Sequence, residues 1–253
     1  MLITEYWDLI KILTVSELRV KYQSSILGFA WSLVNPLLMM LVLYLVFSNI
    51  FNVTENYFAL YILIGIETWR FLQIGSSLAM TAIVGKPGLV TKVFIPRQIL
   101  VFSSVLSSFI SSLLEFAVLF FLLFVFDVTI TPLIFLFPVI HILFLVLVYG
   151  LSLMLASLYV YYRDLNQIWE VVLQAGFFLS PIVYPLTTIP EKYLSIYLLN
   201  PITVIMGIYR DILLYGTLPP LYQVLYLVVT ALLLLGMGRL LFNKLERRFA
   251  EEV

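Results

Sequence analysis

Five unbroken apolar runs and a sixth interrupted by prolines divide this chain, at residues 27–51, 57–80, 99–126, 133–161, 166–184 and 221–242. Each is close to the roughly 20 residues a helix needs to cross a hydrocarbon core. Inside hydrocarbon every backbone N–H and C=O must be satisfied within the protein, so runs of this length are expected to be helices. Bulk composition agrees: 63% of residues are hydrophobic and 11% charged, against about 25% charged in soluble domains. The expected fold is an all-α integral membrane protein with six transmembrane helices. It forms a single transmembrane domain over residues 1–253, with little chain left for a soluble one.

Polar breaks at 52–56, 85–97, 127–131 and 162–164 separate most of the spans. Six crossings put both termini on one side, and the cations say which. Lys11, Arg19, Lys21, Lys86, Lys92, Arg97, Arg163, Lys244, Arg247 and Arg248 fall on that side, against Lys192 and Arg210 on the other. The positive-inside rule therefore makes both termini cytoplasmic. The first 25 residues carry charges throughout, unlike a cleavable signal with its apolar core. Cysteine is absent and the net charge is zero, which offers no disulfide framework, no thiolate metal site and no field for nucleic acid.

Three segments depart from simple spanning helices. In residues 3–23, Leu2, Ile3, Tyr6, Leu9, Ile10, Leu13 and Val20 share one helical arc, with Glu5, Asp8, Lys11 and Arg19 opposite. Such a helix lies in the interface plane, either as a surface anchor or as a collar or docking face at a cytoplasmic mouth. Residues 85–97 form the longest cytoplasmic loop. There Leu89, Val90, Val93 and Phe94 repeat at helical spacing between two prolines, among Lys86, Lys92 and Arg97. A short capped helix with an apolar side suits a partner protein; the alternative is a face resting on the bilayer. Finally, Ser180-Pro181-Ile182-Val183-Tyr184-Pro185 and Asn200-Pro201 carry prolines too densely for a regular span. The backbone over 185–220 is expected to break and re-enter from outside, as pathway-lining helices do.

Within the spans, two serine rows at four-residue spacing, Ser103, Ser107, Ser111 and Ser104, Ser108, Ser112, allow another helix to approach closely. Asn35-Pro36 is expected to kink the first span. Glu67 and Arg70, three residues apart, are positioned to pair on one face, as a functional or a structural pair; Glu115 and Glu170 have no evident partner in sequence. His141 reads as a buried, hydrogen-bonded histidine. No Ser-His-Asp set, metal-ligand spacing or Gly-x-x-x-x-Gly-Lys-[Ser/Thr] phosphate cradle is present. The expectation is a transport subunit rather than an enzyme. If its transport uses ATP, the motor is another polypeptide.

Five stretches carry a family resemblance. Tyr22-Gln23-Ser24-Ser25-Ile26-Leu27-Gly28-Phe29-Ala30-Trp31-Ser32-Leu33-Val34-Asn35-Pro36-Leu37 resembles the start of the membrane subunits of ABC polysaccharide exporters, which move O-antigen, capsule or teichoic acid chains. Lys92-Val93-Phe94-Ile95-Pro96-Arg97, Tyr162-Arg163-Asp164, Leu179-Ser180-Pro181-Ile182-Val183-Tyr184-Pro185, and Asn200-Pro201 with Tyr209-Arg210-Asp211 are similar to that family's other landmarks, in order. The resemblance covers essentially the whole chain. It implies a homodimer enclosing a channel in a bacterial cytoplasmic membrane, with two copies of a nucleotide-binding ATPase beneath. ATP and Mg would sit on that partner, and this chain would bind no cofactor.

The same resemblance implies roles for residues. Lys86, Leu89, Val90, Lys92, Val93, Phe94 and Arg97 would form the principal coupling helix, with Arg163 and Asp164 near a smaller second contact. The segment bearing Tyr6, Leu9, Leu13 and Arg19 would be a gate helix where polyprenyl-linked polysaccharide enters from the membrane. Sugar C–H faces stack on aromatic rings, so Trp31, Trp169, Phe177, Phe178 and Tyr184 are candidates for a sliding channel stripe, or for ordinary dimer packing; Glu67 and Arg70 would stand along that path. The rival readings are an ABC exporter of a small lipid or drug and an ion-driven secondary transporter. The latter would want internal repeats that the chain does not display.

Overall fold

The computed structural model describes residues 6–23, 28, 30–49, 55–93 and 95–252, apart from the side chains of Tyr22 and Ala250. Phe94, residues 3–5 of the interfacial segment, most of the 24–29 landmark and residues 50–54 lie outside the described residues. The helices in chain order are α1 (Trp7–Tyr22), α2 (Ala30–Asn49), α3 (Phe58–Thr81), α4 (Pro87–Lys92), α5 (Gln98–Val125), α6 (Phe137–Tyr161) and α7 (Leu165–Phe178). They continue with α8 (Glu191–Leu198), α9 (Pro201–Arg210), α10 (Leu221–Leu245) and α11 (Phe249–Glu252). No strand occurs among the described residues.

Five helical segments are long and apolar enough to cross a membrane: Ala30–Asn49, Phe58–Thr81, Gln98–Val125, Pro132–Tyr161 and Leu221–Arg248. A sixth is possible if Glu191–Leu198 and Pro201–Tyr215, bent by 98°, act as one broken span. The run at 166–184 behaves differently from its neighbours. Its helix, α7, has 14 residues, about 21 Å at 1.5 Å per residue, and stops before Ser180-Pro181, because a proline cannot continue the ladder. Asn200 then opens α9: its side-chain oxygen accepts from the Ile202 N–H at 3.0 Å, its amide donates to Ser180 Oγ at 3.2 Å, and Pro201 takes the first helical position, where a missing N–H costs nothing.

At the centre stands α3, buried from Leu60 through Trp69 without interruption. A helix apolar on every side belongs inside a bundle, and α5, α6, α7 and α9 surround it. By contrast α2 and α10 expose Leu38, Val42 and Leu45, and Val229, Leu233 and Leu240. The tightest crossing joins α6 to α10. A Cβ on Gly150 would stand 2.5 Å from the Leu235 nitrogen, and one on Gly238 would land on the Gly150 carbonyl. The two backbones touch where only glycine fits, the small-residue seam by which membrane helices associate without a hydrophobic driving force.

That crossing generates a controlled prediction. Gly238→Leu should lower the thermal stability of the purified protein by about 1–3 kcal/mol or more, as overpacking does. Gly236→Leu, on the same helix where an added Cβ meets nothing within 4 Å, should leave it unchanged. Thermal unfolding followed by size-exclusion monodispersity checks both.

Candidate functional site

Charged groups in the apolar interior come first, because hydrocarbon leaves them no water. Arg70 on α3 donates to Glu115 on α5 (Nη2 to Oε1, 3.2 Å) and to Asn35 on α2 (Nη1 to Oδ1, 3.1 Å). One guanidinium thus ties three helices together. This corrects the expected Glu67–Arg70 pairing and supplies the partner that Glu115 lacked in sequence. Residues three apart sit roughly 60° apart around a helix, and here the long arginine side chain turns into the seam with α2 and α5. Glu67 faces the core instead, 1% exposed, with Oε2 making no hydrogen bond within the described residues. Asn35 has a use beyond its place before the helix-internal Pro36: it gives the arginine a second acceptor.

His141 is a junction, as its isolation in an apolar span suggested. Its Nε2 lies 2.9 Å from Ser112 Oγ and its Nδ1 2.8 Å from Tyr209 OH, joining α5, α6 and α9. The rings of Phe71, Phe109, Phe116, Phe137 and Phe144 enclose it.

The aromatic candidates divide. Trp169 donates from Nε1 to Ser76 Oγ at 3.0 Å, and Phe177 packs edge-on to buried Trp69 at 6.2 Å, so both turn inward onto α3. Gly176 lets α7 come this close, since a Cβ there would meet Trp69 at 2.7 Å. Trp31 and Phe178 point outward, at 50% and 71% exposure. Tyr184 is half-buried and donates to the Phe178 carbonyl at 2.9 Å, bracing the end of α7. The outward face of α7 therefore carries Ile168, Val171, Val172, Gln174 and Phe178, with Glu170 also exposed.

On the opposite flank of α3, sequence reasoning missed a pin. Arg210, 3% exposed, stacks over the Tyr61 ring at 3.4 Å, donates to Tyr61 OH at 2.8 Å and reaches the Tyr61 and Ile182 carbonyls at 3.2 and 3.4 Å. It welds the broken turn after α7 to α3. Gly65 makes room, because a Cβ there would press on both Ile182 and Arg210. The signal was present in the Tyr209-Arg210-Asp211 landmark, but a cation beside an external loop reads as solvated until its cage is seen.

At the other end of the bundle the loops before α5 and α7 meet the chain's residues 246–252. Arg97 donates its backbone N–H to Glu246 Oε1 at 3.2 Å and forms a 3.8 Å ion pair with the same carboxylate. Arg163 donates to the Glu252 carbonyl at 3.0 Å, and Asp164 is exposed. In α4, Val90 is buried and Leu89 half-buried, while Lys92 and Val93 face outward. The apolar side expected there is thus partly spent inside the subunit. On α1, Ile10 and Thr14 are buried, Tyr6, Leu9 and Leu13 half-buried, and Arg19 exposed. Thr14 Oγ1 donates to the Ser103 carbonyl at 3.5 Å, which makes α1 the helix that the serine rows of α5 receive. Sequence reasoning also missed Glu17, whose carboxylate accepts from Ser104 Oγ at 2.6 Å and Ser107 Oγ at 3.0 Å and pairs with Lys86.

The structure is a bundle of apolar helices with glycine seams, proline-broken turns at one end and cation-bearing short loops at the other. The family model described as ABC-2 type transporter matches residues 8–214, from α1 to just past α9. The chain belongs to the ABC-2 type transporter family. It is similar along almost its whole length to "O-antigen export system permease protein RfbA" of Klebsiella pneumoniae, at 29% identity over 97% of this chain and 95% of that protein. The protein of the same name from Myxococcus xanthus is 30% identical over 98% of this chain and 96% of its own length. This ABC-2 family member is a multi-pass protein of the bacterial inner membrane.

The Arg70 seam yields a stability prediction. Glu115→Leu should destabilise this family member by about 1–3 kcal/mol by leaving a partly buried guanidinium with Asn35 alone, and adding Arg70→Met should recover most of the loss. Thermal unfolding of the single and double variants measures the coupling.

Proposed function

We propose that this chain is the channel-forming permease subunit of an ATP-driven exporter that moves a lipid-linked polysaccharide across the cytoplasmic membrane. The observation that carries the reading is similarity over 95% or more of each chain to permeases of O-antigen export systems. In this reading two copies enclose the channel and two ATPase subunits, holding ATP and Mg, dock beneath. Both termini face the cytoplasm. Residues 3–23 lie in the interface as the gate helix, the run at 166–184 serves as the fifth span, and residues 185–220 close the outer mouth.

Several features support it. A glycan's hydroxyls cannot cross hydrocarbon unaided, since each unsatisfied polar group costs several kcal/mol. A conduit between copies removes that barrier. Trp31 and Phe178 present rings outward on α2 and α7, where weak stacking would let a polymer slide. Dense hydrogen bonding would hold each sugar by about 1 kcal/mol per group. On the cytoplasmic side, Lys92 and Val93 are the exposed candidates of the coupling segment, whereas Lys86 and Arg97 are already paired within the subunit. The ATPase is therefore met chiefly by the end of α4.

The test is co-purification with the ATPase encoded beside this chain, followed by hydrolysis and export in nanodiscs or vesicles with a polyprenyl-linked glycan. A stable complex whose hydrolysis responds to the glycan is expected. Response to a small lipid or drug alone would shift the cargo, and failure to bind any ATPase would favour ion-driven transport. In the working complex, Val93→Asp and Lys92→Glu should each cut export at least tenfold while leaving expression and monodispersity intact; normal export by both would remove α4 from the coupling surface.

A further inference from the structure

Glu17 is a carboxylate near the middle of α1, with a side chain only 10% exposed. A lone buried carboxylate is costly, and this one is compensated from two directions. Ser104 and Ser107 of α5 donate to it at 2.6 and 3.0 Å, and Lys86 pairs with it from the loop before α4. The lysine is not a loose side chain on a mobile loop. Its own carbonyl accepts from the Leu89 and Val90 amides at 3.0 and 3.3 Å, so Lys86 is the first fixed residue of the α4 turn. The pair consequently joins α1 directly to α4.

The rest of that neighbourhood is open. A cavity of about 470 Å³ lies among the second half of α1, α3 and α5, with Val20, Ile74, Leu78 and Ala82 on its apolar side. Close packing transmits displacement between most helices, because protein interiors resist compression. Along this stretch α1 is held to α5 by the Glu17–serine bonds and by Lys21, which donates to Ser111 Oγ at 3.3 Å, and to the start of α4 by the ion pair. The serine rows continue along the cavity, which Ser108 and Ser111 also line; Ser108 donates to the Ser104 carbonyl, and Ser111 donates to the Ser107 carbonyl while receiving Lys21.

We propose that Glu17 is a positioning residue of the transport cycle: paired with Lys86, it passes the displacement of α4 by a docked ATPase to α1 at the cytoplasmic mouth. This rests on the reading of the chain as an ATP-driven exporter subunit. Arg97 and Arg163, bound to the carboxy-terminal segment, would hold the rest of the loops to the bundle. Only the Glu17–Lys86 pair runs from α4 to α1 among the described ion pairs.

The complex with its ATPase, reconstituted in proteoliposomes, provides the test. Glu17→Gln keeps one acceptor oxygen for the serines and removes the charge, so glycan exported per ATP hydrolysed should fall at least tenfold. The exchanged pair Glu17→Lys with Lys86→Glu should restore most of it, since hydroxyls accept as readily as they donate. Equal export per ATP in Glu17→Gln and the unaltered complex would overturn the proposal. A second readout is independent of cargo and of variants at the pair. The chain has no cysteine, so spin labels at Ile12→Cys and Thr91→Cys, both exposed, diluted with unlabelled copies so that each complex carries one labelled chain, report the α1–α4 distance, and a label at Leu240→Cys on α10 serves as reference. On trapping ATP with vanadate, α1 and α4 should move together relative to α10; α4 moving while α1 stays would overturn the link. A complex that hydrolyses ATP without moving glycan would sink the polysaccharide reading alone, the spin-label distances still deciding the link. Failure to bind an ATPase would overturn both.

Discussion

A guanidinium carried into a membrane protein's interior must find every partner inside the chain, and two arginines organise this bundle around that need. Arg70 collects Glu115 and Asn35 from α5 and α2, and Arg210 collects the ring, hydroxyl and carbonyl of Tyr61 with the carbonyl of Ile182. Both act on α3, one from each flank. Leaving either unpaired would cost more than most apolar contacts in the bundle supply. The central helix is therefore held by polar groups, while apolar packing fills the space between them.

Glycine does the complementary work of bringing backbones together. Gly150 and Gly238 let α6 and α10 meet backbone to backbone, Gly65 admits Arg210, and Gly176 admits Trp69. With lipid tails as apolar as leucine, burial alone gives helices little reason to associate. Close approach and directed hydrogen bonds decide which faces meet, and His141 bridging Ser112 and Tyr209 is a further instance. The opposite end is held differently, by the ion pairs of Lys86 with Glu17 and of Arg97 with Glu246, which tie the loops on either side of α4 to α1 and to the carboxy-terminal segment.

Much of the architecture was legible in the sequence. Apolar runs bound five of the helices to within a few residues, because run length is set by the thickness of the hydrocarbon core. The prolines at 181 and 185 marked where regular helix stops and Pro201 where it resumes, because the reasons are local. The serine rows foretold a close neighbour. The candidate site was less legible. Trp169, Phe177, Trp31 and Phe178 look alike in a hydropathy trace, yet two fill the subunit and two face outward, a distinction set for the three on α7 by how it rotates against α3 and for Trp31 by the exposed face of α2.

The sequence by itself determined that this chain is a helical membrane protein of the ABC-2 kind, since span length, proline position and ordered landmarks are properties of the chain read in one dimension. Tertiary structure alone decided which acid meets Arg70, what cages Arg210, and that Glu17 binds both the serine rows and Lys86. Those partners lie 45, 149, 69 and about 90 residues apart. Pairing over such separations depends on helix rotation and crossing geometry, which no local pattern encodes.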